Sequence, residues 1–336
     1  MTGYSTTGLL LQCPACHGDL EESAEQFRCT LRAHKFPILF GIPDFRLEGD
    51  LYLSLDDERA KAARLHEYAQ NHSFAELVDY YYSITDDVPP DLASRFAAYV
   101  HQAPARMEPI LAVLGPASAD SKLLDLGCAS GGAQIAGEKF AFQVGVDIAL
   151  RWLVICQKRL DELGIAARLV CADVEALPFR PGQFSHIIAN DLIENVDCPQ
   201  SSLASAGTQL AIGGKLYVSA SNRWWPGPHP AVGIWGAGLM PKRLRSVVAR
   251  KLKGIDVLRN ARFVSAARTR AWLCAEGLLI EECGPKRTSI SGMAIPPAKA
   301  ALIETYRFAS GIPGLRQLMV VVGPAFEIVA EKQVGA

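Results

Sequence analysis

Apolar positions along this chain follow two rhythms. In the first third, Phe74, Leu77, Val78 and Tyr81 recur three and four residues apart, the spacing of one helix face. The DVPP stretch at 87–90 ends that pattern, because proline neither continues a helix nor tolerates helical backbone before it. A second helical run passes through Phe96, Tyr99 and Val100 to Leu114, with bends predicted at Pro104 and Pro109. From residue 122 the rhythm changes to short, almost wholly apolar runs separated by turns: 122–127 (KLLDLG), 142–147 (FQVGVD), 168–171, 184–188 and 215–219. Helical stretches fall between them, one running through residue 140 and one over 199–211, so the segment reads as five strand–helix units in a row. Such runs predict strands of a parallel sheet covered by helices on both faces. Two last strands are expected at 278–283 and at 318–322 running on to 327–330, with an added helix over 296–311. The fold class is therefore α/β, doubly wound.

Length and composition narrow this little. The 336 residues suit one large domain with a small one, or two modest ones, and 49% hydrophobic with 21% charged residues excludes wholesale disorder. A net charge of −1 argues against coating nucleic acid through bulk charge. No apolar run approaches the ~18 residues of a membrane helix, and no basic-then-apolar leader is visible, so a cytoplasmic protein is expected. Charge distribution says more. Residues 44–91 hold twelve acids against four bases, and 242–270 hold ten bases against Asp256, net −8 and +9. Pairing of the two stretches, within a chain or across a homodimer, is the expected use; an anionic substrate, RNA or a lipid surface would also suit the basic one.

Nine cysteines, unevenly spread, make a poor disulfide framework. Cys13 and Cys16 form a C-x2-C pair, followed by Cys29 and His34 in the order C-x2-C-x12-C-x4-H, with Arg32 where a fourth cysteine is expected. That donor set points to a structural Zn²⁺, with His17 as an alternative fourth ligand to His34. A segment of some 35 residues cannot build its own core, so the metal would supply much of its stability.

Gly127, Ala129 and Gly132 half-fit a dinucleotide loop, and the acid Asp147 ends the next strand, an arrangement that more than one nucleotide-cofactor family uses. The whole series separates them. D-x-G-C-x-S-G at 125–131, G-V-D at 145–147, A-D-V-E-x-L-P-F at 172–179, F-S-H-I-I-A-N-D at 184–191 and L-x-x-G-G-K-L-Y-V-S at 210–219 together resemble the class I S-adenosylmethionine-dependent methyltransferases. The resemblance implies a seven-stranded Rossmann-like sheet and that cofactor. Carried over residue by residue, Gly127, Cys128, Ala129 and Gly131 would shape the methionine-side loop, with Asp125 ordering it. Asp147, beside Ile148, would accept the ribose hydroxyls. Asp173 would receive the adenine amino group alongside the Val174 backbone, and Asn190 would sit near the methionine end. Two positions depart from the pattern: Ala129 replaces a glycine, and Asn195 stands where many relatives carry histidine. The N-terminal segment, with C-P-x-C at 13–16 and later F-P-I and G-I-P runs, resembles the zinc ribbon preceding many bacterial methyltransferase domains. It is also similar to the ribbon of bacterial rRNA guanine methyltransferases, which helps hold RNA.

These readings divide the chain into a ribbon (1–45), a helical lid or linker region (46–118) and a methyltransferase domain (119–336) with an inserted lid loop (221–264). That loop is dense in proline, glycine and tryptophan, and its tryptophans are expected to pack on substrate or on the helical region. His229 within it is the candidate general base, with Asp191 as a second catalytic candidate. Methyl transfer to an O, N or C nucleophile of a small or medium acceptor, anionic or aromatic and such as a specialised metabolite, is the expected function. An rRNA or tRNA methyltransferase and a non-catalytic cofactor-binding scaffold are the alternatives.

Overall fold

A computed structural model describes residues 8–49, 53–85, 88, 90–287 and 297–334. Asp50, Asp86 and Asp87 of the acidic stretch, Asp87 and Pro89 of the 87–90 break, and residue 296 lie outside the described residues. In chain order come β1 (Leu20–Glu22), β2 (Gln26–Cys29), β3 (Lys35–Leu39) and β4 (Ile42–Pro43), then helices α1 (Leu55–Ala69), α2 (Phe74–Ser83), α3 (Pro90–His101) and α4 (Ala103–Leu114). The alternating half follows: β5 (Lys122–Leu126), α5 (Gly132–Ala136), β6 (Phe142–Asp147), α6 (Leu150–Leu163), β7 (Arg168–Cys171), β8 (Phe184–Asn190), α7 (Pro199–Gln209) and β9 (Leu210–Ser221). The chain ends with α8 (Lys242–Lys253), α9 (Ala266–Ala275), β10 (Leu278–Pro285), α10 (Pro297–Gly311), α11 (Pro313–Val322) and β11 (Ala325–Lys332).

The first four strands form an antiparallel sheet in sequence order. The other seven form one sheet ordered β10-β11-β9-β8-β5-β6-β7, parallel from β7 to β9, with β11 inserted antiparallel between β9 and β10. This is the seven-stranded doubly wound arrangement that the motifs imply. Strand order reverses at β5, so a crevice opens at the carboxyl ends of β5 and β8, where ligands bind in such sheets.

Packing follows from the apolar runs. Leu124, Leu126, Val144, Val146, Val170, Ile187 and Val218 are buried in one core. Ala62, Leu65, Leu77, Val78 and Tyr81 of α1 and α2 close a second core over Leu150, Leu153 and Val154 of α6. Ser54 caps α1, and Ser73 with Glu76 makes a capping box at the start of α2. The N-terminal sheet joins the main one. Phe27, Phe36 and Phe45 share the principal core, with ring centres 5.1 and 5.2 Å apart about Phe45, and the Phe45 N–H donates to Cys171 O at 2.7 Å. The chain leaving β4 thus covers the β7 edge.

Several sequence expectations give way here. Residues 318–322 lie in helix α11, which opens with proline in its first turn; the strand begins only at Ala325. No helix joins β7 to β8, since residues 172–183 run as an irregular loop that bridges Leu11 to Phe179. The helix after β5 stops at Ala136, short of residue 140, and β9 begins at Leu210, inside the run assigned to the preceding helix. Pro104 starts a new helix, with the break at Gln102, whereas Pro109 lies within α4. The buried acids of the 44–91 stretch pair with neighbours: Asp44 with Arg46 and Arg59, Glu58 with Arg151. In the basic stretch Arg262 pairs with Asp197. In the 221–264 segment, Trp224 and Trp235 are 48% and 69% exposed, and Trp225 turns back to donate to Pro228 O at 2.9 Å. The loop has a small core of its own, Val232, Ile234, Ala237, Ala249, Leu258 and Phe263, and so does not need those indoles inside. No helix among the described residues is long and apolar enough to cross a membrane.

Candidate functional site

The loop after β5 makes the floor of the crevice. Gly127 and Gly131 take positive φ of 73° and 76°; a Cβ there would lie 2.9 Å from Leu192 Cδ1 and 2.7 Å from Cys156 Sγ, so glycine is required twice over. The amides of Gly127 and Cys128 both donate to Val146 O, at 2.8 and 3.0 Å. Ala129 holds φ +43°, a left-handed conformation for a residue with a side chain. Its N–H donates to Asp147 Oδ2 at 2.9 Å, and Ala149 N–H donates to Oδ1 at 2.9 Å. Asp147 rather than Asp125 is therefore the carboxylate that pins the loop, and its remaining lone pairs suit a diol. Arg46 reaches the same turn, donating to Ile148 O at 3.1 Å while bonded to Asp44.

Asp125 is buried within β5. Burial pushes its carboxyl up to about 7, against a downward pull from Gln134, and the Asp147 charge adds to the rise. Gln134 beside it is fully buried, its amide close enough to favour the charged carboxylate. Asp173 is half-buried, accepts from Glu175 N–H at 2.8 Å and is raised by burial, with Asp197 and Glu48 adding to it; the Val174 side chain is buried.

The third part of the site lies at the end of β8. Asn190 Oδ1 accepts from Ser219 Oγ at 2.9 Å. Asp191 has φ +54° and pairs with Lys286, whose pKa burial would lower but the Asp191 charge holds up. Glu194 Oε1 accepts from Ser221 N–H at 2.9 Å, Oε2 has no partner, and burial with the Asp191 charge pushes its carboxyl up to about 7. His229 packs edge-on against Phe263 at 5.3 Å, and its Nδ1 accepts from Ala231 N–H at 3.3 Å. Burial takes its imidazole down to about 4, with Asp191 opposing and Arg245 assisting. The ring is thus neutral at neutral pH, its proton on Nε2.

Arg106 and Lys286 were not among the candidate site residues from sequence. Arg106 rests with its guanidinium carbon 3.3 Å from the Tyr99 ring centre, within reach of the Asp191 charge, and its Nε and Nη1 are buried without partners. Nearby, Arg159 Nη1 ties Val100 O to Ser130 O of the loop, at 3.0 and 3.3 Å. A lone arginine in an amphipathic helix carries no sequence signal for such a place. Orphaned donors on Arg106, together with the free lone pairs of Asp147, fit a polar, charged ligand along the crevice.

A separate site lies in the N-terminal sheet. The ligand atoms of Cys13, Cys16, Cys29 and His34 all lie within 4.8 Å of one another, with Cys13 Sγ 3.3 Å from His34 Nδ1 and Cys16 Sγ 3.5 Å from Cys29 Sγ. A tetrahedral Zn²⁺ with thiolate and imidazole ligands asks for neighbours roughly 3.5 Å apart, so this donor set can hold it. His17 faces away, its Nδ1 3.2 Å from Gln12 Nε2.

Residues 124–218, which include the loop, Asp147, Asp173 and Asn190, match the family model of a methyltransferase domain. A ubiquinone biosynthesis O-methyltransferase of Xanthomonas axonopodis pv. citri is 28% identical over 197 residues, covering 58% of this chain and 74% of that protein. One from Chromobacterium violaceum is 31% identical over 110 residues, 31% of this chain and 46% of its own length. Among solved structures, the geranyl diphosphate C-methyltransferase of Streptomyces coelicolor A3(2) aligns at TM-score 0.46 and 17% identity, covering 78% of this chain and 84% of that one.

Proposed function

We propose that this chain, a class I S-adenosylmethionine-dependent methyltransferase, methylates a hydroxyl oxygen of a small organic acceptor and carries a structural Zn²⁺ on Cys13, Cys16, Cys29 and His34. The observation that carries the reading is the line of groups along the switch-point crevice: the loop pinned by Asp147, then Asp173 to one side and Asn190, Asp191 and Arg106 to the other. An oxygen nucleophile is favoured because the curated relatives are named as O-methyltransferases.

S-adenosylmethionine, when bound, supplies an electrophilic methyl group on a sulfonium. Asp147 would hold the ribose diol and Asp173 the adenine amino group. Arg106 would offer its two free N–H groups to the carboxylate of the methionine end, a charge-assisted pairing. Catalysis is then mainly alignment and exclusion of water. A hydroxyl acceptor must also lose a proton. His229, neutral at working pH, would take it, and the Asp191 charge favours the imidazolium that forms. Freeing Nε2 for that step costs the 3.3 Å contact from Ala231, a weak one.

The test is transfer of a radiolabelled methyl group from S-adenosylmethionine into bacterial extract fractionated into small organic molecules, RNA and protein. Label in the organic fraction supports this reading, and His229→Asn should then lower turnover by about a hundredfold with cofactor affinity unchanged. Label in RNA that nuclease removes would replace it with an RNA methyltransferase. Cofactor binding with no transfer to any fraction would favour the scaffold alternative.

A further inference from the structure

A cleft of about 430 Å³ opens between the start of α7, the lid segment around residues 238–242, and α9. Its walls carry five cations, Arg223, Lys242, Arg245, Arg262 and Arg268, against one acid, Asp197, which Arg262 already holds at 2.7 Å. Arg245 is only 6% exposed. Its Nη2 donates to Ala261 O at 2.7 Å and its guanidinium sits 5.0 Å from the Phe263 ring centre, but its Nε is buried with no partner. Trp272 adds a flat wall, with the Arg268 guanidinium 5.3 Å from its ring. Among the described residues, Lys242 and Arg268 form no ion pair. None of the residues given to the cofactor or to His229 and Asp191 lines this cleft.

A concave space with three cations outside any ion pair among the described residues, and a buried guanidinium that holds a free N–H, is made for a compact group of high negative charge. Asp256 is the acid acting on that guanidinium. Guanidinium forks bind phosphate oxygens in pairs, and an ammonium adds a mobile point charge. A single carboxylate would leave most of these donors unused. The basic stretch at 242–270, which sends Lys242, Arg245, Arg262 and Arg268 into this cleft, thereby acquires a use other than pairing with the acidic helices. We propose that the cleft binds a phosphate-ester group, held by Arg245 and Arg268 with Lys242, at a site beside the methyl-transfer residues that shares the Phe263 wall with His229.

Calorimetric titration of the full, zinc-loaded chain with sodium pyrophosphate tests this. One saturable site is expected, its affinity falling as salt is added. The Lys242→Ala/Arg268→Ala variant should bind at least tenfold more weakly while keeping the parent's melting temperature and S-adenosylmethionine affinity. Arg245→Met should lose binding too; should that variant fail to fold, the exposed pair still decides. Vesicles of phosphatidic acid in phosphatidylcholine separate the sources. Pelleting of the parent but not the variant assigns the phosphate to a lipid headgroup, and pyrophosphate binding without pelleting assigns it to a soluble ester. Absence of both pyrophosphate binding and pelleting, or equal binding by parent and variant, overturns the proposal. So does capture of a single-stranded RNA oligomer that pyrophosphate does not compete away. Cofactor affinity is read in the same samples, so failure of the methyl-transfer reading alone leaves this one standing.

Discussion

The N-terminal sheet and the loop after β5 reach order by opposite routes. In the first, strands of two to five residues lend a few side chains, Phe27 and Phe36 among them, to the principal core, and four soft or borderline donors lie within 4.8 Å of one another, a set that a metal would fasten. In the second, β5, β6 and β8 are buried almost throughout, and that core tolerates carboxylates in places unfavourable to them, Asp125 and Glu194 both pushed up to about 7. With a metal bound, stability in the one would come in good part from the binding chemistry; in the other, binding chemistry draws on stability made elsewhere. The two are mechanically joined. Asp44 holds Arg46, Arg46 holds Ile148 O beside the loop-pinning Asp147, and Phe45 pairs with Cys171 at the sheet edge.

That joint makes metal removal the largest effect to look for. Cys29→Ser, or chelation of the zinc-loaded chain, should lower stability by about 5 kcal/mol, a fall in melting temperature of roughly 10 °C or more. Because the ribbon anchors Arg46, affinity for S-adenosylmethionine should drop about tenfold as well, read by calorimetry below the unfolding temperature. Zinc loss with unchanged cofactor affinity would show the two regions to be independent, and the comparison would reduce to two neighbours.

Next in size is the cost of the buried carboxylate. Asp125 has a folded pKa raised to about 7 from 3.8, so the unfolded chain ionises first as pH rises. Its stabilising contribution is full below about pH 4 and is lost as pH climbs through about 7. Asp125→Asn removes that penalty. Urea titrations should find the variant more stable than its parent, with a gain that grows by about 2 kcal/mol between pH 5 and pH 8, while its cofactor affinity falls. A gain that does not grow with pH would mean Asp125 is not held at the raised value and that the core tolerates no such cost. Glu194, shifted in the same direction over the same range, keeps some pH dependence in the variant.

How much of this could be read from residues alone follows the same division. The strands of the parallel half are legible because burial on both faces leaves nearly continuous apolar runs, and the Cys-x2-Cys spacing is legible because it is one that aims two thiolates at a single metal ion. Residues 318–322 mislead for a physical reason: their valines read as strand, but Pro313 starts a helix there, and Leu318 and Val321 stay exposed on it. Arg106 and Lys286 escape notice for another. Lys286 meets Asp191 across 95 positions of sequence, from the end of β10 at the far side of the sheet, and no local spacing announces that contact. The basic cleft likewise exists only once α7, α8 and α9 are brought together.

The smallest effect tests the loop itself. Gly127 and Gly131 have no room for a Cβ, but Ala129, between them, carries one at φ +43°. A left-handed alanine costs about 1 kcal/mol in the folded state, and replacing it by glycine costs roughly 0.5–1 kcal/mol through the freer unfolded chain. The two nearly cancel, so Ala129→Gly should leave stability within about 0.5 kcal/mol of the parent. Cofactor affinity should also stay close to the parent's, because the N–H that Asp147 accepts is backbone and survives the change. A loss well above 1 kcal/mol in chemical unfolding would mean that the methyl group itself packs against the loop. The strained alanine would then be part of the floor on which the cofactor rests, and the loop, like the ribbon, would hold its shape by a contact of its own instead of by the core beneath it.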